Sequence, residues 1–223
     1  MKVMLFGASG MVGQGALRAA QQADDVTEVL AVGRGPSGLQ HAKLRDLVLP
    51  DLFGFAAAQP LPTGYDACFF CLGVSSGGMA EADYQRLTYD LTLAIATALA
   101  PANPGMTFIY VSGAGTDSSE QGRTMWARVK GRTENTLLRL PFKAVYLMRP
   151  GMIQPLDGIQ SKTPAYRWMY RVIGPLLTPL RRLLPRHILT TRSVGQAMLA
   201  AARHGAPSAV LETADIQALA ARG

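Results

Sequence analysis

Three glycines at a regular spacing stand where they could hold a phosphate. Gly7, Gly10 and Gly13 lie in "GASGMVGQG", directly after a short apolar run and directly before a helical pattern. A strand that turns sharply into a helix through glycine brings main-chain N–H groups up to a pyrophosphate, and the helix N-terminus favours its charge. Ser9 adds a hydroxyl to the loop, and Met11 and Val12 begin the helix. The second apolar run ends "AVGRG". An NAD site wants an acid at that tip for the ribose 2′-hydroxyl, but this chain has Gly33 and Arg34. A guanidinium pairs bidentately with a 2′-phosphate, so the pattern points to NADP, with NAD the lesser alternative.

Other side chains that could do chemistry are fewer. "RVKGRTE" holds Lys130 four residues before Glu134, a spacing that also suits simple helix-surface support. "IYVSGAGT" offers the hydroxyls of Ser112 and Thr116. Cys68 and Cys71 form a C-x-x-C inside the apolar run "YDACFFCLG". Side chains three apart on a strand point to opposite faces, so these thiols should diverge. They lack a second Cys or His pair, and no metal site is expected. His187 and His204 have no carboxylate or cysteine partners near them in sequence and read as surface or packing residues, and His41, after a Gly/Pro/Ser-rich loop, reads as solvated.

These residues need elements to position them. Short apolar runs fall at 2–6, 28–32, 46–49, 67–72, 107–112 and 144–149, with a further one at 209–213. Helical spacing fills 11–22, 80–100, 124–140 and 190–205. Residues 80–100 place Leu87, Leu91, Ala94, Ile95, Ala98 and Leu99 in a three-to-four repeat. The helix over 124–140 should end at Pro141, and the last should stop at Gly205. Strands alternating with helices predict an α/β fold with a doubly wound (Rossmann) parallel sheet. Residues 154–190 break the rhythm with prolines and arginines, and read as a small C-terminal lid on a single domain spanning 1–223.

Composition narrows the partners. The 223 residues are 48% hydrophobic and 17% charged, which suits one compact domain rather than a disordered chain. The net charge of +7 favours anionic partners. Basic runs interleaved with aromatics are missing, so a phosphorylated cofactor is the expected anion and nucleic acid is not. The start is too short in apolar length for a signal peptide, and no run of about 18 apolar residues offers a transmembrane helix. A reduced, cytoplasmic protein is the expectation.

As a set, "GASGMVG", "CLG", "YVS", Lys130 and "RPG" resemble the atypical short-chain dehydrogenase/reductases. "FFCLGVSSGG", "RVKGRTE" and "RPGMI" are most similar to the Tat-interacting-protein-like oxidoreductase branch and its bacterial epimerase/dehydratase-like relatives. The resemblance implies that Gly7, Ser9, Gly10, Met11, Val12 and Gly13 hold the diphosphate and Arg34 the 2′-phosphate. It implies Asp51 at the adenine amine, with Asp46 as the other candidate. Cys71, Leu72 and Gly73 would pass along the adenine-side ribose. Lys130 would meet the nicotinamide ribose, and the backbone at Pro150 and Gly151 the carboxamide. It further implies a small-molecule substrate and a monomer or homodimer.

Two positions depart from the family pattern. Trp126 stands where the family has its catalytic tyrosine, four residues before Lys130, and an indole N–H is no acid or base near neutral pH. The catalytic serine falls on Ser112, or on Gly113 if the alignment slides by one residue, with Thr116 as a further hydroxyl. Tyr110 or Tyr166 would substitute for the tyrosine only if the fold carried a hydroxyl to the nicotinamide. Lys130 and Ser112 are therefore the expected catalytic residues. A cofactor-binding regulatory or scaffold protein is the competing reading.

Overall fold

The computed structural model describes residues 1–57, 60–159 and 188–222. Seven strands form one sheet: β1 (Lys2–Phe6), β2 (Glu28–Gly33), β3 (Leu44–Val48), β4 (Ala67–Phe70), β5 (Thr107–Val111), β6 (Ala144–Arg149) and β9 (Val210–Glu212). The order is β3-β2-β1-β4-β5-β6-β9, every pairing parallel. Two short strands, β7 (Met152–Gln154) and β8 (Ile188–Thr190), pair with each other beside it.

The sheet explains why its strands read as continuous apolar runs. Along β1, Val3 and Leu5 pack on one face while Met4 and Phe6 pack on the other. β4 repeats this, with Phe69 on the first face and Cys68 and Phe70 on the second. A parallel sheet covered on both sides has no solvent face to call for polar residues. Each buried Phe or Leu side chain contributes about 1.5–3 kcal/mol, which makes a one-residue slip of register costly. The two cysteines obey the same alternation. Cys68 is in the second core and Cys71 packs against the first, both as free thiols.

The first face is covered by α1 (Met11–Gln22), α5 (Thr191–His204) and α6 (Thr213–Ala220). α5 starts with a reciprocal cap: Ser193 N–H donates to Thr190 Oγ1 at 2.9 Å and Thr190 N–H to Ser193 Oγ at 2.8 Å. It ends at Gly205, as its sequence predicts.

The second face is covered by α4 (Met125–Leu137) and by one long helical stretch that is not uniform. α2 (Glu81–Gln85) passes through a π-helical turn, Arg86–Asp90, into α3 (Leu91–Ala102). The expected regular helix over 80–100 therefore slips phase. Leu91, Ile95 and Leu99 are buried as expected, but Leu87 is exposed and Thr88 is buried in its stead. A π turn holds more residues than an α turn, so the apolar stripe before it does not continue the stripe after it.

Of the expected lid, residues 154–159 and 188–190 are described and residues 160–187, with Tyr166 and His187, lie outside the described residues.

Candidate functional site

β1 lies at the crossing point of the sheet. The chain runs outward from it through β2 to β3, then crosses back to β4 on its other side. Ligands of doubly wound sheets sit at the strand ends beside such a point. The loop after Phe6 is built for close approach. Gly7 adopts φ +80, and a Cβ there would lie 2.8 Å from the Cys71 carbonyl carbon and oxygen. A Cβ on Gly13 would lie 2.0 Å from Gly7 O. Gly10 N–H donates to Gly7 O at 2.9 Å and closes the turn. Gly10 is also the N-cap of α1 and supplies no side-chain cap, so the N–H groups of the first turn, Met11, Val12 and Gly13, are left for a ligand. The chain thus offers a cradle that fits a pyrophosphate and that a single Cβ would fill.

The cradle opens into a cleft of about 210 Å³ lined by Gly7, Ser9, Arg34, Ser37, Asp46 and Leu72 among others. Arg34 stands exposed at the tip of β2, as its sequence position implied. The aspartates divide differently from expectation. Asp46, on β3, lines the cleft and accepts from Ser37 N–H at 3.1 Å and Ser37 Oγ at 3.0 Å. Asp51 is not part of the cleft's lining, and its carboxylate accepts the Phe53 N–H at 3.0 Å. Asp46, rather than the Asp51 preferred from the sequence, lines this cleft, and Asp51 accepts at the start of the short 3-10 turn Leu52–Ala57. Cys71 meets the cradle through its backbone, its N–H donating to Phe6 O at 3.0 Å. Desolvation pushes its thiol pKa up. Gly73 faces open space beyond Leu72.

The far end of the site forms where β5, β6 and α4 meet. Ser112 is buried at the end of β5, its N–H donating to Met148 O at 2.7 Å. Its Oγ lies 2.9 Å from Thr116 Oγ1, which donates to Gly113 O at 2.8 Å. A hydroxyl has one proton, and that of Thr116 goes to Gly113, so Ser112 is the donor to Thr116. Ser112 can accept from a substrate as it stands, but it can donate only by leaving Thr116. Gly113 faces open space.

Lys130 sits with Nζ 5.3 Å from the centre of the Tyr110 ring. Burial draws its pKa down to about 8, while the charge of Glu134 pulls the other way. The two do not pair on the helix surface. Glu134 is 1% exposed and accepts from Arg149 Nε at 3.1 Å and again from Nη2. Arg149 also reaches Ser118 and Glu212, tying α4 to β6, β9 and the loop before α4. No signal at 134 alone marked this: the partner lies 15 residues along the chain. Trp126, one turn before Lys130, lies against the loop after β5, where a Cβ on Gly115 would be 3.6 Å from the indole.

Tyr110 does not stand in for the hydroxyl that Trp126 lacks. Tyr110 is 1% exposed, its ring in the core beneath Lys130. At the end of β6, Pro150 O accepts from Ala114 N–H at 3.0 Å and Gly151 N–H donates to Thr213 Oγ1 at 2.9 Å. These bonds place Pro150 and Gly151 beside the loop that follows Ser112. His41 and His204 are exposed and away from the site. Among the described residues no cluster of His, Cys, Asp and Glu could hold a metal, and no helix is long and apolar enough to cross a membrane.

No family model matches the chain. Two curated relatives are similar to it. "Protein FMP52, mitochondrial" of Eremothecium gossypii is 28% identical over 155 residues, 69% of this chain and 66% of that protein. "Protein FMP52-2, mitochondrial" of Scheffersomyces stipitis is 25% identical over 151 residues, 67% and 65% respectively. The match thus spans just under two thirds of each relative's length. Their names overturn the expected cytoplasmic location, since both are described as mitochondrial. Among solved structures, the Bordetella bronchiseptica enzyme WbmF in complex with NAD+ superposes with a TM-score of 0.69 at 17% identity, over 99% of this chain and 76% of that one. The YIR035C short-chain dehydrogenase/reductase of Saccharomyces cerevisiae gives 0.64 at 15%, over 99% and 98%. A short-chain dehydrogenase/reductase superfamily protein of Agrobacterium tumefaciens with bound NAD gives 0.65 at 16%, over 100% and 81%. The chain has the Rossmann fold of these structures.

Proposed function

We propose that this chain is an NADP(H)-binding atypical short-chain dehydrogenase/reductase, an oxidoreductase or epimerase/dehydratase-like enzyme acting on a small molecule. The observation that carries the reading is the cradle of Gly7, Gly10 and Gly13, whose close packing leaves no room for a Cβ at Gly7 or Gly13 and whose first-turn N–H groups have no side-chain cap. The solved structures of the same fold with NAD or NAD+ bound support a nicotinamide dinucleotide there. When bound, that cofactor supplies or accepts a hydride. Arg34 favours the 2′-phosphorylated form, for it stands at the β2 tip with no acid beside it in sequence. Met11, Val12 and Gly13 bind the diphosphate by their N–H groups, with Ser9 beside them. Leu72 and the backbone of Cys71 and Gly73 pass along the adenosine, and Asp46 is the carboxylate at its cleft. Pro150 and Gly151 border the carboxamide. Lys130 holds the nicotinamide-side ribose. With its pKa near 8 it is also the described group best suited to hold or move a proton near neutral pH. Ser112 accepts from the substrate and donates on release from Thr116.

One observation favours a second reading, an NADPH-binding regulatory or scaffold protein with weak catalysis. Trp126 occupies the tyrosine position, and Tyr110 is buried in the core. The test is NADPH titration followed by NADPH consumption over a panel of aldehydes and ketones, with the unmodified protein and Trp126→Tyr. Binding with slow turnover that Trp126→Tyr raises, by up to the roughly 10²- to 10⁴-fold that general acid–base help supplies, is the expected result. Failure to bind either dinucleotide at millimolar concentration would sink both readings.

A further inference from the structure

A second cavity lies away from the cofactor cleft. It is a groove of about 440 Å³ between the outer faces of α1 and α5, against the turn that follows β7. The groove starts where the two helices touch backbone to backbone. A Cβ on Gly15 would be 2.2 Å from Thr191 O, and one on Gly195 would be 2.6 Å from Gly15 O. Beside this crossing the small side chain of Ala19 leaves a floor, completed by Leu199 and Ile159, all three buried apolar residues. The walls are cationic. Arg18 comes from α1, and Arg192 and Arg203 from α5, where eleven residues set them about 16 Å apart along the axis.

The charge at one end of the groove is unbalanced. Arg18 Nη1 lies 3.7 Å and Arg192 Nη2 3.0 Å from the carboxylate of Asp157, so two guanidinium groups share one acid. Arg192 is exposed and Arg18 half-buried, both with N–H donors to spare. Asp157 reaches them from a left-handed backbone, φ 57, in a turn with Gly158. Its carboxylate marks the spot where both guanidinium groups meet an anionic oxygen. At the other end Arg203 is held by Asp25, with Nε 3.0 Å from Oδ2.

We propose that this groove binds a small organic anion, a phosphate monoester on a short apolar stem. The phosphate sits between Arg18 and Arg192 and takes over contacts now made by Asp157. Its oxygens can accept from both guanidinium groups at once. The stem lies over Ala19, Leu199 and Ile159. Gln196, half-buried on α5, borders the stem. The site shares α1 with the cofactor cradle but none of the cradle's glycines, and it does not depend on the function proposed above.

The test uses calorimetric titration of the full chain with hexyl phosphate, with inorganic phosphate and hexanol as partial probes. Saturable one-to-one binding of hexyl phosphate is expected, in the presence and absence of saturating NADPH. It should be at least about tenfold tighter than that of inorganic phosphate, because the stem is buried. Arg18→Gln combined with Arg192→Gln should weaken it at least about tenfold, the loss expected for charge-assisted hydrogen bonds. Gln196→Trp, which fills the groove and leaves both arginines in place, should abolish it. Thermal unfolding of each variant checks that it is folded. No saturable binding of hexyl phosphate overturns the proposal. So does displacement by NADPH, which would place the ligand in the cofactor cleft, or an affinity unchanged in both variants.

Discussion

Replacing Lys130 by methionine should make the protein more stable at neutral pH while weakening its hold on the dinucleotide. The ammonium lies over the Tyr110 ring with no carboxylate within ion-pair distance among the described residues, since Glu134 belongs to Arg149. Burial lowers its pKa from 10.5 to about 8. At about 1.36 kcal/mol per unit this shift sets a ceiling of roughly 3 kcal/mol on the cost of the charged form. Partial exposure and relaxation reduce it, and about 1–2 kcal/mol is the expected effect. Methionine keeps the aliphatic stem and removes the charge.

The sign follows from proton counting. Between about pH 8 and pH 10.5 the unfolded lysine binds more protons than the folded one, so the unmodified protein gains stability as pH rises through that window. The advantage of Lys130→Met is therefore full below about pH 8 and gone above the unfolded pKa. One kcal/mol moves the melting temperature of a chain this size by about 2–4 °C. Thermal unfolding at pH 7 without dinucleotide should show a rise of about 2–8 °C, vanishing as pH passes about 10.5. NADPH titration of the same variant should show weaker binding. A lower melting temperature at pH 7 would refute the reasoning, for it would mean that the ammonium has a stabilising partner.

Gly13→Ala should remove dinucleotide binding, because its Cβ would stand 2.0 Å from Gly7 O and force the cradle open; titration with NADPH reads the loss. Arg34→Asp should invert the preference between NADPH and NADH, contacts of this kind being worth about 2–5 kcal/mol, and an unchanged affinity ratio removes Arg34 from the site. Arg149→Met should cost about 3–5 kcal/mol in denaturant unfolding by leaving Glu134 charged and buried, and Glu134→Leu in the same chain should recover most of it.

The alternation of apolar runs and helical stretches determined the sheet. A strand buried on both faces reads as a continuous apolar run, and a parallel sheet between helix layers buries its central strands this way. The glycine loop was equally legible. Residues 6 to 13 are contiguous, so strand end, turn and helix start are local facts, and the absence of side chains at Gly7 and Gly13 is itself the signal. The divergence of Cys68 and Cys71 followed from strand geometry alone.

Tertiary structure decided what depended on distant partners. Asp46 and Asp51 are both acids close to the third strand, and only the Ala31–Asp46 register of β3 on β2 puts Asp46 at the cleft. Glu134 looks like a helix-surface partner for Lys130 until Arg149 arrives from β6 and takes it into the core. Leu87 fits the helical repeat, but a π turn is a matter of backbone hydrogen bonding that the repeat does not record. The proton of Ser112 is committed to Thr116 because a loop folds back over the end of β5. Patterns of residue type carry the period of a local element. Which donor meets which acceptor is settled only when the packing of the two cores brings separate elements within about 3 Å of one another.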